Sequence, residues 1–514
     1  MSGRSPMPSG HAPSLPSRPW ARALQNVDPL IAGAWAAVVL GLVLRVIARS
    51  GLPLWLDEAW TGAIVAQDSL GAVLRESLLD ANAPLYFALM HGWSLLFGLS
   101  NGALRFPALV FGALAPLVAL IPVKGMPREV RYLWCALIAL WIPGIWYSQE
   151  ARCYTLLLLL AMACTVAYMR LLAQPDLRRA TVWALLGALC ILTHYHALVL
   201  VACQGLGYLA LHRLQALRTW PAALIFAPAL GWVMAHLPRL AQFADPQVAW
   251  FARLGFADIP GIAFFVLGDI PVAVGLICVA LIWLAVGWRR GATAATAAAA
   301  QPPSPVWIVV ATAAAGASLI LAIAMLSTSF TSRYLVPFMP GLMLGMAVAA
   351  VRLGRRWAPI PLAVVFVFAL SAVTWTTEGW KKDLKVYNFQ IASQALMAAG
   401  VRDLVFLWDN PVAQIVDRNQ LAAVGGFFFQ REGRPVAVAP LSIRPGEDPN
   451  TRVLAAAGGR RQSGILWLYD LDVRGTAARS HPPRIEERDP TWVCRQFGRG
   501  RIGIVACHRP QART

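Results

Sequence analysis

Apolar runs of membrane-crossing length recur along this 514-residue sequence, at about 29–49, 104–122, 132–147, 153–171, 180–193, 196–211, 221–237, 261–287, 306–326, 334–351 and 358–375. A helix needs roughly 20 apolar residues to cross a bilayer, and a spanning backbone must satisfy its own hydrogen bonds. The runs therefore restrict residues 29–375 to an all-α polytopic membrane domain of about eleven transmembrane helices. Composition agrees: 58% of the residues are hydrophobic and 13% charged, where a soluble domain has roughly half and a quarter. Residues 1–28, rich in Pro, Ser and Arg, read as a disordered cytoplasmic tail, and the first run as a retained signal-anchor helix.

The net charge is +19, and its distribution assigns it to topology rather than to nucleic acid. With the N-terminus in the cytoplasm, the inner loops hold Lys124, Arg128, Arg131, Arg170, Arg178, Arg179, Arg213, Arg218, Arg289, Arg290, Arg352, Arg355 and Arg356. The outer loops hold only Arg75, Arg152, Arg239, Arg253 and Arg333. Cytoplasmic loops carry the excess of Lys and Arg, so this asymmetry fixes the orientation. Attraction to the membrane surface follows as a by-product. The pair 180–193 and 196–211 reads as two short spans, because one interrupted helix would turn the later basic loops outward. For the same reason "NAPLYFALMHGWSLLFG" (82–98) reads as an amphipathic helix on the outer surface.

Residues 1–375 contain twelve Asp and Glu, and nine of them fall on the outer side: Asp57, Glu58, Asp68, Glu76, Asp80, Glu150, Asp245, Asp258 and Asp269. The positive-inside rule largely ignores acids, so topology does not demand this clustering; chemistry at the outer face would.

The stretch 291–305 is low-complexity, and no internal repeat is evident. After Trp375 the character changes. Residues 376–514 hold 20 Lys and Arg and 13 Asp and Glu, with a helix ended by Gly400, a strand before Asn410, and further strands at "GILWLYD" (464–470) and "RIGIVAC" (501–507). They read as a small soluble α/β domain, placed outside by the odd number of spans. Six cysteines lie in the spans as core residues, while Cys494 and Cys507 lie in the outer domain, where a disulfide is permitted.

Several residues are suited to chemistry. In "LDEAW", Asp57 or Glu58 can serve as the general base of an inverting sugar transfer, or simply favour a helix N-terminus. In "WYSQEARCY", Glu150 is a second acid or a ligand for a divalent metal, and Arg152 a partner for Glu150 or a lipid phosphate; helix capping and snorkelling are the plainer readings. In "THYHA", His194 and His196 can contact a donor or acceptor head group, though two histidines alone are a thin metal set. Arg333 and Tyr334 stand at an outer helix start, where a guanidinium matches phosphate oxygens or an Arg/Tyr pair anchors at the interface. Arg239 is a further phosphate-binding candidate, in a long outer loop (about 238–260) with Trp250, Phe251 and Phe256. No Walker A sequence or strand-associated GxGxxG is present, which argues against a nucleotide-sugar donor.

The ordered set "LPLWLDEAWTGAIVAQDSL", "NAPLYFALMHGW", "WYSQEARCYTLLLLLAM", "LTHYHALVLVACQ" and "SRYLVPFMPGLMLG" resembles the family-39-like bacterial glycosyltransferases of the GT-C membrane class. These include the protein O-mannosyltransferases and lipid A aminoarabinose transferases. The resemblance covers most of residues 30–350 and only loosely the C-terminal domain. It implies transfer of a sugar from a polyprenyl-phosphate donor to a lipid, polysaccharide or protein acceptor, at the periplasmic face of the bacterial inner membrane. It also implies Asp57 as the base, Glu150 as the acid of the second outer loop, and Arg333 on the donor phosphate. The competing reading is a transporter or flippase for a lipid-linked saccharide. Such proteins tend to carry mid-membrane ionisable sites, often with inverted repeats, whereas these spans hold almost no mid-depth charge and show no repeat, which disfavours transport. A third is an inactive relative serving as an assembly scaffold.

Overall fold

Helices form along the apolar runs, and breakers within the runs decide where each one stops. The computed structural model describes residues 28–47, 52–248, 253–268, 305–327, 330–354, 359–378, 388–444, 446–458, 462–470, 483–497 and 502–510. Residues 1–27, Trp250, Phe251, most of the 261–287 run, the 291–304 stretch, Arg289, Arg290, Arg355 and Arg356 lie outside the described residues.

A long helix α1 (Pro29–Ile47) is followed by three short ones, α2 (Leu56–Val65), α3 (Leu70–Leu79) and α4 (Pro84–Phe97). Next come α5 (Asn101–Leu114), α6 (Arg128–Leu140), α7 (Ile142–Tyr147), α8 (Tyr154–Ala173), α9 (Leu177–Thr193) and α10 (Ala197–His212). Helices α11 (Ala227–Phe243), α12 (Ile259–Leu267), α13 (Pro305–Leu326), α14 (Met339–Gly354) and α15 (Ile360–Glu378) complete this part. Among the described residues seven helical segments are long and apolar enough to cross a membrane: Pro29–Ile47, Asn101–Leu120, Tyr154–Ala173, Ala197–Phe243, Pro305–Leu326, Ser332–Gly354 and Ile360–Thr377. The 180–211 stretch is two helices, α9 and α10, separated at His194–His196. The 82–98 stretch is the single 14-residue helix α4, which buries Tyr86, Phe87 and Met90 and exposes Leu95, Leu96 and Phe97, so its outward face is apolar rather than the polar face expected of an amphipathic helix. The 132–147 run is divided at Trp141, whose extended backbone separates α6 from α7. Pro143 explains the break: it has no N–H to offer the preceding turn.

Beyond α16 (Asn388–Ala398) the chain turns at Gly400, whose φ of +76° suits glycine. A five-stranded sheet follows, made of β1 (Asp403–Asp409), β2 (Ala437–Leu441), β3 (Ser463–Asp470), β4 (Val493–Phe497) and β5 (Ile502–His508) in the order β2-β1-β3-β5-β4. Strand β1 runs parallel to β2 and β3, and β5 antiparallel to β3 and β4. Helices α17 (Arg418–Arg431), α18 (Pro449–Ala457) and α19 (Ile485–Arg488) accompany it. Cys494 and Cys507 face each other across β4 and β5 with Cα atoms 4.0 Å apart and form a disulfide.

One hydrophobic core runs from α1 through the inner face of this sheet. The contact is made on α2. A Cβ at Gly62 would come within 2.3 Å of the Phe427 ring of α17, so glycine lets the two helices meet. The rings of Trp60 and Trp408 pack 5.6 Å apart, and Gln390 of α16 accepts the Leu54 N–H at 2.8 Å. Helix α2, with Asp57 in its first turn, is thereby fixed between the helical part and the sheet.

Candidate active site

Helix α2 begins with Asp57 and Glu58 in its first turn, where carboxylates suit the positive end of the helix dipole. Consecutive helical residues point about 100° apart, so the pair cannot serve one environment. Glu58 turns into the protein. Its Oε1 accepts from Arg105 Nε (2.7 Å) and the Ala151 N–H (2.9 Å), and its Oε2 from Arg105 Nη2 (2.6 Å) and the Trp55 N–H (3.1 Å). Arg105 also donates to the Leu52 and Pro53 carbonyls at 2.7 and 2.8 Å. With a side chain 0% exposed and four donors on two oxygens, Glu58 is a strut joining α2, α5 and the turn before α8. Of the two carboxylates expected to serve as the base, Glu58 has both oxygens already engaged by these donors.

Asp57 turns the other way. Its Oδ2 lies 3.4 Å from Arg333 Nη1 and 3.9 Å from Arg152 Nη2. Arg152 also donates to the Asp57 carbonyl and Thr61 Oγ1, both at 3.3 Å, and to Asn82 Oδ1 at 3.4 Å. Two guanidinium groups thus face one carboxylate, and the Nε atoms of Arg152 and Arg333 are buried without a hydrogen-bond partner. Buried donors are normally satisfied, so the cluster has both positive charge and donors left over for an anion.

Aromatic rings wall this cluster. Arg333 lies over Tyr154 at 5.6 Å, and Tyr154 packs on Tyr147 at 4.7 Å. His196 stacks on Tyr334 at 3.9 Å, His194 lies 5.3 Å from the Tyr334 ring, and the two histidine Nδ1 atoms are 3.4 Å apart. Burial, with His196, Arg333 and Arg152 nearby, pushes the His194 imidazole well below the usual histidine range. It stands neutral beside the cations.

Of the residues singled out from sequence, Asp57, Arg152, Arg333, Tyr334, His194 and His196 converge. Arg239 does not join them: it donates to the Leu79 carbonyl (2.9 Å) and Gln242 Oε1 (2.6 Å), closing the end of α3. It therefore stands apart from the residues around Asp57, with its Nη2 buried and unpartnered. Glu150 is buried in the turn of Arg152, its carbonyl accepting the Arg152 N–H at 2.7 Å. Among the described residues no three His, Cys, Asp or Glu side chains converge as a metal site would require. Sequence reasoning missed Arg105 and Asn82. Arg105 carried a signal, since a lone charge in an apolar helix needs a buried partner; Asn82 carried none.

No family model and no curated protein matches the sequence. Solved structures do match: ArnT from Cupriavidus metallidurans in the apo state aligns with a TM-score of 0.53 at 15% identity, covering 94% of this chain and 100% of ArnT. The chain has the GT-C glycosyltransferase fold. ArnT bound to undecaprenyl phosphate aligns with a TM-score of 0.49 at 14% identity, over 93% of this chain and 100% of that one. The arabinosyltransferase EmbB from Mycobacterium smegmatis aligns with a TM-score of 0.37 at 13% identity, over 66% and 31%. At such identities the likeness is one of fold, a multi-pass GT-C membrane domain, and the roles of the site residues rest on the geometry above.

Proposed function

We propose that this GT-C protein is an inverting glycosyltransferase that moves a hexosyl or pentosyl group from a polyprenyl-phosphate donor to a lipid, polysaccharide or protein acceptor at the periplasmic face of the inner membrane. One observation carries the reading: a single carboxylate, Asp57, is held against two arginines that keep buried donors unspent. That is the charge pattern a phosphate monoester leaving group requires beside a base.

Arg152 and Arg333 hold the phosphate, and their forked donors match its oxygens. Asp57, with Oδ2 toward the arginines, uses Oδ1 to take the proton of an acceptor hydroxyl as that oxygen attacks the anomeric carbon. The new C–O bond forms opposite the breaking one, so the configuration inverts. The electron pair of the breaking bond leaves on the polyprenyl phosphate, whose added negative charge the two guanidinium groups stabilise. The proton ends on Asp57. Tyr334 and the two histidines provide flat faces for the sugar ring. Membrane lipids bring donor and enzyme into one plane.

The test supplies membranes with radiolabelled polyprenyl-phosphate sugars and compares the wild type with Asp57→Asn. Label transferred by the wild type alone, in a product of inverted anomeric configuration, is the expected result. Equal transfer by both proteins, or a trapped glycosyl-enzyme, would contradict this assignment of Asp57.

A further inference from the structure

Arg45 is the one charge within α1, and it is 2% exposed in the last turn of that helix. Among the described residues no carboxylate pairs with it; its partners are neutral. A buried cation without an anion is costly, so something else must hold it there. Nη1 donates to the Ala139 carbonyl at 2.6 Å and the Gly41 carbonyl at 2.9 Å, and Nε donates to Ser148 Oγ at 3.0 Å.

Ala139 sits in the final turn of α6. In a continuing helix its carbonyl would accept the N–H of residue 143, and that residue is Pro143. Arg45 fills the gap, and the negative end of the α6 dipole supplies the compensation that a carboxylate otherwise would. Gly41 permits the approach, since a Cβ there would lie 2.4 Å from the Ala139 oxygen. Ser148 in turn donates to the Gly144 carbonyl at 2.6 Å, and Gln149 Nε2 donates to the Leu44 carbonyl at 3.3 Å. The turn leading to Arg152 is therefore held at Ser148 by Arg45 and at Ala151 by Glu58.

We infer that Arg45 is a positioning residue. It gives Ala139 the hydrogen bond that Pro143 cannot, and through Ser148 it sets the turn that carries Arg152 to Asp57. The consequence for donor binding rests on the function proposed above; the effect on the turn does not.

Cys153, next to Arg152, is buried and unbridged, as are Cys164 and Cys190 in other parts of the helical domain. The experiment treats the full-length protein in membranes with a small maleimide and reads labelling peptide by peptide, for wild type, Arg45→Ala, Arg45→Lys and Ser148→Ala. Affinity for added undecaprenyl phosphate is measured in parallel. Expected is a rise of about tenfold in Cys153 labelling in Arg45→Ala and Ser148→Ala, with Cys164 and Cys190 unchanged. Arg45→Lys falls in between, and undecaprenyl-phosphate affinity weakens in the same order. Unchanged Cys153 labelling in both would overturn the inference. So would an equal rise at all three cysteines in both, because Arg45 would then support the whole fold and not the turn. If Arg45→Ala alone unfolds, Ser148→Ala decides. A wild type that binds no undecaprenyl phosphate would remove the proposed donor, while Cys153 would still report on Arg45.

Discussion

Asp57 and Glu58 are adjacent in one helical turn, yet the two sides of that turn are built on opposite principles. On the Glu58 side, one carboxylate meets one guanidinium in a side-chain pocket 0% exposed at Glu58 and 13% at Arg105, and backbone N–H groups take the remaining lone pairs. On the Asp57 side, one carboxylate meets two guanidinium groups at longer range, and buried nitrogens on both arginines donate to nothing. The first network is closed and its net charge is zero. The second has charge and donors in reserve.

The contrast breaks most visibly at Arg105. Arg105→Ala leaves Glu58 as a buried, uncompensated charge, and thermal unfolding should show a loss of about 3–5 kcal/mol. Replacing both residues with Leu should cost clearly less than the single change, since the desolvation penalty goes with the charges. Equal losses would show that Glu58 matters for packing alone. Next in size, Arg333→Ala should weaken binding of a polyprenyl phosphate about 10- to 100-fold, the worth of a charge-assisted hydrogen bond. Its melting temperature should stay near that of the wild type, because the open cluster is not a strut. A collapse of the fold instead would erase the distinction between the two sides.

The smallest effect concerns pH. His194 has its imidazole pKa below the unfolded value of 6.5 in the folded protein. The unfolded chain therefore binds the extra proton first, so the stability His194 contributes is complete above about pH 6.5 and is lost as the pH falls below it. Melting temperatures of wild type and His194→Gln should converge on acidification from pH 7 toward pH 5. A constant difference would mean that His194 does not titrate in this window.

Much of the fold was legible because membranes impose a severe filter: a run such as Tyr154–Ala173, 20 residues long, has little choice but to span. The break at Pro143 was equally open to reading, yet the apolar run masked it. Asp57, Arg152 and Arg333 could each be nominated one at a time, from charge at the ends of apolar runs. Their convergence could not, because Arg333 lies 276 residues from Asp57 and only packing brings them together. The division of labour between Asp57 and Glu58 was also hidden. Residue type and dipole treat the two carboxylates alike, and only the position of Arg105 separates them. Arg239 shows the reverse case, a cation at the end of an apolar run that packing places on the Leu79 carbonyl and Gln242 rather than on Asp57.

The most direct test of this division measures sugar transfer and melting temperature together for Asp57→Asn and Glu58→Gln. The account predicts a crossed result: Asp57→Asn melts like the wild type and loses transfer by about 10²–10⁴-fold, whereas Glu58→Gln melts well below it and keeps transfer per folded molecule. Parallel losses in both variants, or transfer retained by Asp57→Asn, would contradict it.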